Sequence, residues 1–201
     1  SPIGIELKQY QPHLQPNTSL SITFIGALDW MPNSEALNWF LTKVWKMVNA
    51  HHPEFELHVA GRNCPDHIKN LKIPKVIIHG EVEDSNRFIS SHPVMVVPLL
   101  SGSGMRVKIL EGMALGKVII TTSLGLEGIP ATHKENILIA DTPEQFLECL
   151  EYIHFNPDEI TRLGHNAVNF VSDRYDTYKI ATGLIHKYHS LIESGYHNHA
   201  V

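Results

Sequence analysis

The sequence predicts one α/β domain, a Rossmann-like doubly wound parallel sheet of about six strands with helices on both faces. Three observations predict it. Short apolar runs alternate with longer helical patterns along the chain, the order that right-handed βαβ units require. Several of the short runs are nearly continuous Val and Ile with little polar alternation, as in parallel strands covered on both faces. Three runs also end directly in glycine, and a fourth enters a glycine-rich loop, as strand ends facing a ligand cleft often do.

The strands are expected at Leu20–Ala27, Phe55–Gly61, Lys75–Gly80, Val94–Leu99, Lys117–Thr122 and Asn136–Ala140. The first helix, Asn33–His52, carries Leu37, Phe40, Leu41, Val44 and Val48 at helical spacing behind a cap at Asn33 or Ser34. Further helices are expected over about Asp84–Ser91, Gly104–Leu115, Pro143–His154, Pro157–Ser172 and Thr177–Glu193. Residues 1–19, rich in Pro and Gln, read as a connector leading into the domain at 20–193, and 194–201 as a polar tail. The sequence opens on Ser and shows no signal-peptide pattern, so it reads as a fragment or a processed product.

Composition narrows the function. A net charge of −5 argues against a general nucleic-acid binder, because phosphate backbones are held by clustered Lys and Arg. No apolar run approaches the ~18 residues of a transmembrane helix. Cys64 and Cys149 are far apart and read as reduced thiols. Neither His51–His52 nor the pair His197 and His199 is joined by a carboxylate or thiol at ligand spacing, so no metal is expected.

In open α/β sheets ligands bind where strand ends meet helix N-termini. Four such loops stand out here: Gly26–Ser34, Gly61–Asp66, Gly80–Asp84 and Leu100–Arg106. The last, in "SGSGMRVKILE", is the most informative. Gly102 and Gly104 permit a tight turn, and the N–H groups from about Met105 to Lys108 form an anion site at the helix start. Arg106 and Lys108 add charge suited to a diphosphate. Glu111 follows Val107 by four positions and Lys108 by three, so the three are expected on one helix face. An ionised carboxylate only accepts hydrogen bonds, which suits sugar hydroxyls rather than phosphate. The alternative is a solvated charge run in which Lys108 pairs with Glu111.

Other phosphate and nucleophile motifs fail on detail. "GMALGKV" is one residue short of a Walker A loop and lacks its hydroxyl, and "GSGMRV" has Val107 where a dinucleotide fingerprint needs glycine. No GxSxG elbow is present. Trp30 reads either as a stacking platform or as a loop residue packed on its own domain. Thr121–Pro130, with two glycines around Glu127, reads as a loop able to close over the cleft or as an ordinary connection.

Taken in order, "SPIGIEL", "FIGALDWMPNSEALNWF", "ELHVAGRN", "HGEVED", "VVPLLSGSGMRVKILEGMALGKVIITTSLGLEGI", "ENILIADTPEQF" and "FVSDRY" resemble the C-terminal half of glycosyltransferase family 4 enzymes. The resemblance implies half of a GT-B fold and a domain that binds a nucleotide-diphosphate sugar donor. It also implies transfer with retention at the anomeric carbon, no metal ion or other cofactor, and a partner N-terminal domain that holds the acceptor. A fragment without that domain is expected to be inactive, and a bacterial, cytoplasmic role in polysaccharide synthesis follows from the same resemblance. Glu111 matches the second Glu of the family's ExxxxxxxE motif, and Ser103 stands where the first would fall.

The candidate catalytic residues are therefore Glu111, Lys108 and Arg106. The candidate donor-binding residues are Gly26, Arg62, Asn63, Val82, Ser101, Gly102, Ser103, Gly104, Met105 and Val107, together with Lys108 and Glu111. Two alternatives stay open, an epimerase-like relative acting on nucleotide sugars and a non-enzymatic α/β binding module.

Overall fold

The structure, a computed structural model, describes residues 3–12, 14 and 20–197. Six parallel strands form one open sheet, β1 (Ser21–Ile25), β2 (Glu56–Ala60), β3 (Val76–Gly80), β4 (Val94–Val97), β5 (Val118–Thr121) and β6 (Leu138–Ile139). Their spatial order is β3-β2-β1-β4-β5-β6, so the chain reverses its winding between β1 and β4. Ile22 pairs with Leu57 on one side and Val94 on the other, and Val94 with Val118. Every residue of β4 and β5 is buried, as strands covered on both faces must be.

The helices are α1 (Met31–Trp39), α2 (Lys46–His51), α3 (Asp66–Lys69), α4 (Ser85–Ser90), α5 (Val107–Ala114), α6 (Pro143–Phe155), α7 (Asp158–Arg174) and α8 (Thr177–His197). A π-helical turn, Phe40–Trp45, joins α1 to α2 and turns Phe40, Leu41, Val44 and Trp45 all inward. There Phe40 meets Phe146 of α6 edge-on, ring centroids 5.6 Å apart, and the Trp45 indole N–H donates to the Pro74 carbonyl at 3.0 Å. Local sequence chemistry sets two of the helix starts. Thr142 and Gln145 form a reciprocal capping box on α6, with Pro143 in the first turn, and Asp84 caps α4 through the Arg87 N–H.

Two expectations change. The helix expected from Gly104 begins at Val107, because Gly102 and Gly104 hold φ of +100° and +88°, left-handed values no α-helix contains. The last helix continues to His197, through the first half of the expected tail, while 198–201 lie outside the described residues. The leading segment, of which residues 1–2, 13 and 15–19 lie outside them too, is seated on the domain where it is described. Ile5 is buried and bridges to Asp176, its N–H donating to the Tyr175 carbonyl at 2.8 Å. Cys64 and Cys149 are both free and buried.

Candidate functional site

Parallel strands bring all their carboxyl ends to one edge, so the loops after β1, β2, β3 and β4 assemble there. The glycine loop after β4 is built around Arg106, the residue preceding α5. The residue is only 7% exposed. Its guanidinium lies over the Trp30 ring, 5.8 Å from the centroid, and Nη1 donates to the Ser103 carbonyl. Its Nε and Nη2 have no hydrogen-bond partner among the described residues. A Cβ on Gly102 would stand 2.9 Å from Nη2, at the tip of the arginine, and it is the φ of +100° that calls for glycine here.

Lys108 behaves differently. It is turned inward, its Nζ donating to Asn33 Oδ1 at 2.8 Å and to the Ile25 carbonyl at 3.4 Å. Burial, and after it the charge of Arg106, pushes its pKa down to about 8. Asn33 in turn donates to the Ala27 carbonyl at 2.9 Å, so this lysine braces the loop after β1. Glu111 accepts instead from the Tyr10 hydroxyl at 3.2 Å, and Val107 is exposed. The single face expected for Val107, Lys108 and Glu111 is thus divided. Residues three apart on a helix differ by about 60° around the axis, enough for a long lysine to lean toward nearby acceptors. Lys108 and Glu111 do not pair with each other. Burial, and after it the Glu111 charge, pushes Tyr10 up to about 12.

Around this centre Ser101 Oγ donates to Glu35 Oε2 at 2.6 Å, and Met105 packs against the core. Ser103 and Gly104 are exposed. The loop after β5 does reach across, for the Gly104 N–H donates to Glu127 Oε2 at 3.0 Å. A carboxylate of the chain itself therefore sits at the N–H group just before those expected to meet an anion. Val82 is half-buried in the loop after β3.

The glycines after β1 and β2 are closely packed within the protein. A Cβ on Gly61 would come within 1.9 Å of the Gly26 carbonyl oxygen, and one on Gly26 within 2.7 Å of Asn33. Arg62 is exposed, and Asn63, with φ of 54°, donates to Asp29 Oδ2 at 2.9 Å. A cleft of about 580 Å³ opens beside them between α1 and α3, lined in part by Asp29, Glu35 and His67, and the glycine loop takes no part in its walls. Sequence reasoning placed Asn33 in a cleft loop but gave it only a capping role, and Tyr10, in the leading segment about a hundred residues from Glu111, was not singled out.

Residues 19–155 match the family of glycosyl transferases group 1. The chain belongs to that family. It is 26% identical over 198 residues to an "Uncharacterized 44.6 kDa protein in cps region" of Klebsiella pneumoniae, covering 90% of this chain and 51% of that one. The chain thus spans about half the length of that curated relative. Among solved structures it is similar to the C-terminal domain of the glycosyl transferase group 1 protein LpcC from Francisella tularensis. That match has a TM-score of 0.71 at 16% identity, over 87% of this chain and all of that domain. Anabaena HepE in complex with UDP gives a TM-score of 0.71 at 12% identity, over 93% of this chain and 56% of that one. At such identities the likeness is one of fold, and it is the Rossmann-like half of a GT-B enzyme. No helix of the described residues is long and apolar enough to cross a membrane.

Proposed function

We propose that this domain binds the nucleotide-diphosphate sugar donor of a retaining, metal-independent glycosyltransferase, a hexosyltransferase that extends a bacterial glycan in the cytoplasm. The observation that carries the proposal is Arg106, a buried guanidinium with Nε and Nη2 unpartnered, set beside Gly102 at the head of α5. Leaving buried charged donors unpaired costs stability, so their natural partner is an anion brought in from outside. A diphosphate offers planar-fork acceptors to the guanidinium, and the α5 N-terminus adds its dipole.

In the proposed reaction the sugar–phosphate bond breaks as the acceptor hydroxyl bonds to the anomeric carbon, and the departing diphosphate gains negative charge. Arg106 stabilises that charge where it develops. Glu111, oriented by Tyr10, accepts hydrogen bonds from ribose hydroxyls. Lys108, through Asn33, holds the β1 loop at the edge of the site. Glu127 must swing away from Gly104 for that N–H to meet the donor. The acceptor belongs to a second, N-terminal domain, which is why the chain alone is expected to transfer little sugar. That HepE, a protein of similar fold, was solved in complex with UDP supports a nucleotide ligand for this domain.

Calorimetric titration with UDP, GDP, ADP and NAD in EDTA tests the proposal, with Arg106→Ala and Glu111→Ala alongside. One nucleoside diphosphate should bind, at least about tenfold more weakly in each variant, an effect in the range of a lost charge-assisted hydrogen bond. Binding unchanged in Arg106→Ala, or binding of NAD in preference, overturns it.

A further inference from the structure

At the opposite edge of the sheet three potential ligands converge. His52 follows α2, Glu54 lies in the turn leading to β2, and His154 stands in the last turn of α6. His52 Nδ1 is 3.2 Å from Glu54 Oε1, and His154 Nε2 is 3.4 Å from the same oxygen. One ligand atom from each of the three residues lies within 4.8 Å of the others. With metal–ligand bonds of about 2.0–2.1 Å, neighbouring ligands of a tetrahedral ion stand roughly 3.3–3.4 Å apart. Both measured edges are close to that separation.

The second coordination layer matches too. His52 Nε2 lies 2.9 Å from Glu151 Oε1, one turn before His154 on α6. A carboxylate there takes the Nε2 proton and leaves Nδ1 as a lone pair, the arrangement that orients metal-bound histidines. That lone pair then faces the Glu54 carboxylate at 3.2 Å, acceptor against acceptor. A metal ion bound by both atoms relieves that opposition, as a proton on Nδ1 also would, and the test below separates the two.

We propose that His52, Glu54 and His154 bind a divalent transition ion of the zinc class, with Glu151 as the positioning residue for His52. Two imidazoles and one carboxylate suit zinc, nickel or copper better than magnesium or calcium. Side-chain exposures of 12% for His52, 25% for His154 and 40% for Glu54 leave the fourth position to water on the Glu54 side. The ion would fasten the α2–β2 turn to α6, joining parts of the chain about a hundred residues apart. It takes no part in donor binding, which belongs to the other edge.

The test titrates Zn2+ into the chelator-stripped chain against a chromophoric competitor, beside His154→Gln, Glu54→Gln and the control His79→Gln. A single site of micromolar or tighter affinity is expected. It should weaken at least about tenfold in His154→Gln and Glu54→Gln and stay unchanged in His79→Gln. Zn2+ should raise the melting temperature of the wild type and leave that of His154→Gln unmoved. Wild-type affinity in His154→Gln and Glu54→Gln, or no binding to the unaltered chain, overturns the proposal. The second result would leave a protonated His52 as the cation between the carboxylates. Nucleoside diphosphate affinity should be the same in His154→Gln, so failure here and failure of the donor reading are distinct.

Discussion

At the amino edge of the sheet, buried polar groups find partners within the chain. His92, 7% exposed, sits 3.0 Å from Ser21 Oγ, and the buried Lys117 ammonium donates to the Ser90 carbonyl at 2.8 Å. At the carboxyl edge Arg106 is exposed to the same 7%, yet two of its nitrogens have no partner among the described residues. Equal burial with unequal satisfaction sets Arg106 apart from His92 and Lys117, although Thr23 Oγ1 within β1 is also without a partner among the described residues. A polar side chain is placed in a core at low cost only when its bonds are made. Arg106 leaves them open at a loop built of left-handed glycines, which is the observation behind the proposed donor site.

Acidification probes the amino side, where the largest effect is expected. Burial first, and the neighbouring His58 next, push His92 from 6.5 down to about 4, and burial lowers His58 and His79 as well. The three pack ring to ring, His58 and His92 with centroids 4.2 Å apart. The unfolded chain therefore takes up protons at a pH where the folded chain does not. This stability is complete above about pH 6.5 and is lost as pH falls toward 4. At about 1.4 kcal/mol per pH unit, His92 alone accounts for about 1–3 kcal/mol. Urea midpoints measured across that window should drop, and His92→Asn should flatten the slope. An unchanged slope in that variant would assign the acid sensitivity elsewhere.

Replacing Arg106 by Met sharpens the comparison from the other side. Removing unpaired buried donors while keeping the volume should raise stability by about 1–2 kcal/mol, even as nucleotide binding is lost. Thermal unfolding reads this as a rise of roughly 2–4 °C per kcal/mol. A fall instead would mean that the Ser103 carbonyl bond and the Trp30 contact make Arg106 a structural residue. The smallest effect is expected at Tyr10→Phe. Losing one partly buried hydrogen bond to Glu111 should cost about 0.5–1 kcal/mol of stability and weaken nucleoside diphosphate binding only a few-fold. Identical affinity would show that Glu111 is oriented without it.

The alternation of strands and helices was legible because its signals are local. β4 is read from four adjacent apolar residues and β5 from three, and the capping box of α6 lies within four positions. The glycine loop was legible for the same reason, with Gly102, Gly104 and Arg106 contiguous in the chain. Helix limits were less so. The start of α5 depended on whether Gly104 turned left-handed, and the left-handed φ that decided it appears only in the folded backbone.

Side-chain destinations were not legible. Lys108 and Arg106 look equivalent two residues apart in sequence, but Asn33 takes one and nothing in the described chain completes the other. Gly26 and Gly61 read as openings for a ligand, and the crossing of two strand ends uses them for contact between backbones. His52 had Glu54 beside it all along, while His154 and Glu151 arrive from about a hundred residues away on α6. By itself the sequence determined the parallel sheet and the glycine turn at its carboxyl edge, because periodicity and glycine act over a few residues. Only the tertiary structure decided which cation remains unpaired and which histidines meet. Those outcomes depend on which distant atoms reach within about 3 Å, and local patterning does not encode that distance.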